Sequence, residues 1–235
     1  MRIMVVHGQY PPEELGLRRR QILEAVSPGT EIEFIEIKGD IFNLTHNADN
    51  ELLSMLAGPQ VVQKACEAEE RGFDAVLVYG TLDFGVDAAR SRVDIPVVGM
   101  GCSSFCAAAN LANRIAVIAY QSIMISDTWK FIREIGFKDF VTSVRAVDIS
   151  IKDMATQREI LKETFIKLAR RAVVEEGVEM IVPRGISIIP IYFSAEEISQ
   201  EAQVPVIDCV VAGVKTAEML VTMGVKNRRK TNTKL

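Results

Sequence analysis

This 235-residue sequence predicts an α/β fold of two pseudo-symmetric lobes, each a mostly parallel sheet flanked by helices, with an interlobe cleft. Three observations point there. Short continuous Val/Ile runs alternate with longer helical segments, the order expected when parallel strands are joined through helices. The runs lack a polar alternate face, as in sheets covered on both sides. Three of them also recur in the same order later in the chain, the mark of an internal repeat.

In chain order, strands are expected near 2–7, 32–37, 74–79, 96–100, 115–120, 141–147, 178–183 and 205–208. The helices between and after them are expected near 17–26, 59–71, 86–92, 103–112, 123–135, 156–176, 195–202 and 210–223. Arg2-Ile3-Met4-Val5-Val6-His7 recurs 112 residues later as Arg114-Ile115-Ala116-Val117-Ile118-Ala119. Gly72-Phe73-Asp74-Ala75-Val76-Leu77-Val78 follows a helix, and so does its counterpart Gly177-Val178-Glu179-Met180-Ile181-Val182-Pro183, 105 residues on. Pro96-Val97-Val98-Gly99 recurs as Pro205-Val206-Ile207-Asp208. The boundaries drawn from this are 1–96 plus 208–225 for the first lobe, 97–207 for the second, and a basic tail over 226–235.

With 49% hydrophobic and 25% charged residues the chain can bury a substantial core. Its longest apolar runs, such as Ile115 to Tyr120, are about six residues, against roughly 20 for a bilayer span. No membrane partner is expected, and a start without secretory features points to the cytoplasm. Lys and Arg total 27 against 31 Asp and Glu. Lys226, Arg228, Arg229, Lys230 and Lys234 fall in the tail, so the folded body is acidic and no nucleic-acid partner is expected. Cys66, Cys102, Cys106 and Cys209 follow no zinc spacing, and His7 and His46 lie on separate segments. Neither a metal nor another cofactor is expected. Cys102 and Cys106 read as a packed pair of thiols, with Cys102 a conceivable nucleophile at a helix start. The sequon Asn43-Leu44-Thr45 and the kinase-like Asp83-Phe84-Gly85 lack the context that would give them meaning.

Ligands of open α/β sheets collect at the carboxyl ends of the strands. These ends are His7-Gly8-Gln9-Tyr10 and Tyr120-Gln121-Ser122 after the first strand of each half. After the third strands they are Tyr79-Gly80-Thr81-Leu82-Asp83 and Arg184-Gly185-Ile186-Ser187. His7 can act as acid or base near neutral pH, or simply end a strand. Asp83 is a base or ligand-orienting group, or the N-cap of the helix from Val86. Tyr10, Tyr79 and Tyr120 can stack on or hydrogen-bond a ring, or pack ordinarily. Arg184 can hold a carboxylate in a bidentate pair, or answer an acid of its own lobe.

Asp94-Ile95-Pro96-Val97-Val98-Gly99-Met100-Gly101, Ser143-Val144-Arg145-Ala146-Val147-Asp148-Ile149 and Val204-Pro205-Val206-Ile207-Asp208, with Val214-Lys215-Thr216-Ala217-Glu218, resemble the aspartate/glutamate/hydantoin racemase superfamily. The hydantoin racemase branch is the most similar part of it. The resemblance implies two pseudo-symmetric α/β lobes, a site in the cleft between them and a homo-oligomer. Family racemases carry one cysteine per lobe, in segments that look like Ala-Cys-Phe-x-Asp-Pro-Gly and Leu-Gly-Cys-Ala-Gly-Met. The matching positions here are Gly80 and Gly185. The family's Asn-Pro-Asn-Thr-Ser loop corresponds to His7-Gly8-Gln9-Tyr10-Pro11, and its second-lobe Thr-Thr pair to Ala119-Tyr120.

Racemisation needs one group to take a proton beside a carbonyl and a second to return it on the other face. Glycine does neither. The resemblance therefore implies a cysteine-independent isomerase, lyase or hydrolytic step on a small carboxylate or cyclic amide. His7, Asp83 and Tyr79 are the expected catalytic groups. Gln9, Tyr10, Gly80, Thr81, Tyr120, Gln121, Arg184, Gly185 and Ile186 are the expected binding groups. A silent ligand-binding protein on the same scaffold is the alternative.

Overall fold

The structure is a computed structural model that describes residues 1–39 and 50–227. His46, the sequon at 43–45 and the tail from 228 onward lie outside the described residues. The chain divides into two compact units, Met1–Met100 with Val210–Leu235, and Gly101–Cys209.

The first unit is built on a parallel sheet of order β2-β1-β3-β4, from β1 (Arg2–His7), β2 (Glu31–Glu36), β3 (Ala75–Val78) and β4 (Val97–Gly99). Side chains alternate across a strand, so β1 divides its residues between two faces. Met4 and Val6 join Val76, Val78 and Val97 under Ala57, Val61 and Ala65 of α2 (Asn50–Glu70) and Ala89 of α3 (Val86–Arg90). Ile3, Val5 and His7 take the other face, with α1 (Pro12–Ala25) and α8 (Cys209–Thr222) as the unit's remaining helices. Close approach of α8 rests on Gly213, where a side chain would collide with Met100 and Leu77.

The second unit repeats the plan with order β6-β5-β7, from β5 (Ile115–Ala119), β6 (Val141–Ala146) and β7 (Met180–Arg184), all parallel. Ile115, Val117, Val141, Met180 and Val182 form a core with Phe105 of α4 (Met100–Ala109) and Ile132 of α5 (Met124–Glu134). Helix α6 (Arg158–Glu176) packs on β5 and β6, and α7 (Ala195–Ala202) packs on α6.

Hydrogen bonds repeat along with the strands. Arg2 N donates to Asp74 Oδ2 at 2.7 Å, and Arg114 N donates to Glu179 Oε2 at 3.1 Å. The same arginines reach back to the preceding helix end, Arg2 to the Arg71 carbonyl and Arg114 to the Glu176 carbonyl. Val76 N donates to Pro96 O, and Ile181 N to Pro205 O. Three correspondences made by different atoms are the physical form of the repeat. Asp74→Ala and Glu179→Ala should each lower stability by about 1 kcal/mol, an ordinary exposed hydrogen bond's worth, in urea unfolding. Two unchanged midpoints would remove these clamps from the account.

Three expected elements change most. Helix α1 starts at Pro12 rather than 17, because a proline in the first turn sacrifices no bonded N–H, and Glu13 and Glu14 suit the helix's positive end. Helix α2 starts at Asn50 rather than 59 and carries Pro59 in its interior. The expected strand at 205–208 is only the bridge Ile181↔Val206. Pro205 has no N–H to extend that ladder, and the chain enters α8 at Cys209. Among the described residues no helix is long and apolar enough to cross a membrane.

Candidate functional site

Register decides what the first unit gathers at its strand ends. Val5 pairs with Phe34 and with Leu77, so Val5, His7, Phe34 and Tyr79 share the face toward α1. With Tyr10, Leu15, Arg18 and Arg19 they line a small cavity of about 10 Å³, room for little more than one water. Tyr10 meets Tyr79 edge-to-face at 6.2 Å between ring centroids. The Arg18 guanidinium lies 4.2 Å above the Tyr10 ring and is salt-bridged to Glu14 at 2.9 Å. Burial disfavours that cation, yet Tyr10, Tyr79 and Glu14 outweigh it and hold Arg18 above its ordinary range. Burial also raises the Tyr10 phenol, against the pull of Arg18.

His7 is buried within this group. Its Nδ1 is 2.7 Å from the Gly8 carbonyl and its Nε2 is 3.2 Å from Nη2 of Arg19. A guanidinium can only donate, so Nε2 accepts and Nδ1 carries the proton. Burial lowers the imidazole below its ordinary 6.5; the Gly8 carbonyl opposes this, and the Arg19 charge adds to it. His7 is thus a neutral imidazole at neutral pH with its basic nitrogen already occupied. Gln9, beside it in sequence, is exposed and donates to Glu36.

Asp83 is elsewhere. It holds a positive φ of 54°, and a side chain at Gly99 would overlap its carboxylate. The acid therefore rests on the last residue of β4, one position before α4. The N-cap of α3 is Gly85. Asp83 also lines a broader groove with Ser54, Gly58 and Asp87, and is not among the residues lining the His7 cavity. His7 and Tyr79 come together; Asp83 does not join them there.

The two glycines that the resemblance equates with cysteines differ sharply in surroundings. Both lie in the left-handed region, Gly80 at φ 118° and Gly185 at φ 121°. A Cβ at Gly80 would meet nothing within 4 Å, whereas one at Gly185 would collide with the ring of Tyr120. Tyr120 and Ile186 are buried, and the Gln121 Oε1 is a buried oxygen without a hydrogen-bond partner among the described residues. Thr81 is buried in the first unit. Arg184 ends β7 on the same face as Met180 and Val182, 4% exposed, with its guanidinium 4.0 Å above the Phe131 ring of α5. Its counterpart by the 105-residue offset is Tyr79, which faces Arg18 of α1. Cation and aromatic ring have exchanged places between strand and helix.

Arg18 and Arg19 were absent from the sequence reading of the site. A signal existed: Arg18, Ile22 and Ala25 follow helical spacing and are the buried residues of α1. A charged residue on that stripe marks a buried polar contact. Among the described residues no cluster of three or more His, Cys, Asp or Glu side chains could hold a metal ion.

The Asp/Glu/Hydantoin racemase family profile matches residues 20–217. The chain belongs to the Asp/Glu/hydantoin racemase family. Within that family it is 32% identical over 174 residues to the hydantoin racemase of Pseudomonas sp. (strain NS671), a match spanning 74% of this chain and 69% of the relative. Its fold overlays the allantoin racemase from Klebsiella pneumoniae with a TM-score of 0.82 at 22% identity, covering 100% of this chain and 95% of that one. Unliganded arylmalonate decarboxylase shares the fold at a TM-score of 0.57 and 18% identity, with 97% and 95% covered. Two parallel sheets flanked by helices are the architecture this racemase-family chain shares with them.

Proposed function

We propose that this chain is an enzyme acting on a small carboxylate or cyclic amide through a cysteine-independent isomerase or lyase step. The observation that carries the reading is the pair of glycines: Tyr120 covers Gly185, Gly80 faces open space, and neither supplies a thiol. The proton beside the ligand's carbonyl would pass through His7, Asp83 or Tyr79. Backbone N–H groups at the strand ends would stabilise the enolate, as oxyanion-hole donors do. Gln9, Tyr10, Gly80, Thr81, Tyr120, Gln121, Arg184, Gly185 and Ile186 are the proposed ligand-binding positions. The relative's name, hydantoin racemase, and the neighbour's, arylmalonate decarboxylase, support carbon-acid chemistry as the class to test first.

The occupied Nε2 of His7 favours a second reading, a silent ligand-binding scaffold. One experiment separates the two. Purified protein is incubated in deuterated water with hydantoins, malonates and small dicarboxylates, and followed by proton NMR. Exchange or decarboxylation at the carbon acid, retained in a Cys102→Ala variant, is the expected result. Binding without exchange in all three classes would leave the silent scaffold in place.

A further inference from the structure

The end of β1 is closed by two groups that fit together in only one charge state. His7 is buried, with Nδ1 tied to the Gly8 carbonyl at 2.7 Å and Nε2 accepting from Nη2 of Arg19 at 3.2 Å. While the ring is neutral, a lone pair faces a donor and the contact holds. Protonation reverses it. Nε2 then carries its own N–H, so two donors and two positive charges face each other where little water can enter. The cavity beside them holds about 10 Å³, room for little more than one water, and admits no counter-ion.

The neighbouring groups absorb little of that second charge. From α1, His7 faces Arg19 and Arg18, and the nearby Glu14 is already paired with Arg18 at 2.9 Å. From β2 it faces Glu36, its exposed strand partner, whose carboxylate accepts from Gln9. The loop after β1 and the end of β3 bring the phenols of Tyr10 and Tyr79, which offer no negative charge in acid. Burial lowers the imidazole and the Arg19 charge adds to it, against the Gly8 carbonyl and Glu36. Arg19 is the member of the pair that can leave. It is half-buried, its other side-chain contact among the described residues is the face of Phe34 at 5.0 Å, and its buried Nε has no hydrogen-bond partner among them to give up.

We propose that His7 and Arg19 form an acid-sensitive latch: the neutral imidazole holds Arg19, and with it the middle of α1, against the ends of β1 and β2, and protonation of the ring expels Arg19 and loosens the helix. No ligand enters this device, so it stands apart from the proposed function. A histidine whose pKa falls on folding supports the native contact fully above its unfolded 6.5 and withdraws that support as pH falls below it. The latch is therefore closed at neutral pH and opens in acid.

The test is NMR of the isotopically labelled full chain from pH 7.5 to 4.5. The chain has only two histidines, so a His46→Gln variant assigns the His7 ring signals. The ring should show the Nδ1–H tautomer at neutral pH by its nitrogen shifts and titrate below 6.5. Amide protection over residues 15–22 of α1, corrected for the intrinsic pH dependence of exchange, should fall below that pH by up to about tenfold per pH unit, the limit for one proton. His7→Gln keeps an acceptor for Arg19 and has no proton to gain, so its α1 protection should be flat with pH. Arg19→Gln should move the His7 titration up toward 6.5 and also flatten the α1 profile, and it carries the comparison if His7→Gln does not fold by circular dichroism. Protection that is flat in wild type, or that falls equally in wild type and in the folded variants, overturns the latch. So does a His7 ring that titrates at or above 6.5 in wild type and does not respond to Arg19→Gln.

Discussion

Gly185→Cys is expected to destabilise the protein by about 3–6 kcal/mol, and Gly80→Cys by only about 1–3 kcal/mol. Both glycines sit at a φ near 120°, where an L side chain is strained, and that strain is common to the two variants. The difference is steric. A Cβ at Gly185 would overlap the edge of the Tyr120 ring, while one at Gly80 has no neighbour within 4 Å. Tyr120 is itself buried, so the ring cannot swing into solvent without opening the second unit's core. Thermal and urea unfolding of both variants provides the measurement. Adding Tyr120→Ala to Gly185→Cys should recover part of the loss, although that change alone leaves a cavity and costs stability. Equal losses in the two single variants, or no recovery in the double, would show that the ring yields more easily than its packing indicates. The consequence for chemistry is direct. A thiol can be placed at position 80 of this scaffold, but a two-cysteine arrangement requires moving Tyr120 first.

Strand order and repeat were legible because they depend on apolar runs. Arg2–His7 and Arg114–Ala119 are alike as strings and alike as strands, and the backbone bonds to Asp74 and Glu179 join the first repeated segment to the second in each half. What a string of residues does not carry is partner choice. His7 was legible as a strand-end titratable group, but its tautomer depends on Arg19, twelve positions away on α1. Both arginines fall within the expected helix, but which of its sides packs under the sheet is set by tertiary packing, which puts Leu15, Arg18 and Arg19 beside His7. Asp83 was legible as a conspicuous acid after β3. Its proximity to Gly99 depends on the pairing of β3 with β4 and on a left-handed turn that an aspartate adopts only occasionally. Arg184 was correctly placed at a strand end, yet which of its neighbours it would stack on was decided by the face it takes in β7.

Glu218→Gln is expected to cost on the order of 3 kcal/mol at neutral pH, and the cost should fall away in acid. The residue closes one of the sequence stretches that carry the family resemblance, and the structure gives it work as an anchor of α8. Glu218 is buried and accepts four hydrogen bonds: from the Ser27 N–H and hydroxyl at 2.7 Å each, from Thr30 at 2.8 Å and from Lys215 at 2.9 Å. Burial alone would raise the carboxyl, but Lys215, Ser27 and Thr30 outweigh it and bring it from its ordinary 4.5 to about 2. A carboxyl depressed on folding stabilises the native state fully above its unfolded pKa, and that contribution is lost as pH falls through the folded one. The window is therefore between 4.5 and about 2. Urea unfolding of wild type and Glu218→Gln at pH 7 and pH 3.5 tests this, with a gap about 1 kcal/mol smaller at the lower pH. A gap that does not change with pH would mean that the shape of the side chain, and not its charge, holds α8 to the turn at Ser27 to Thr30.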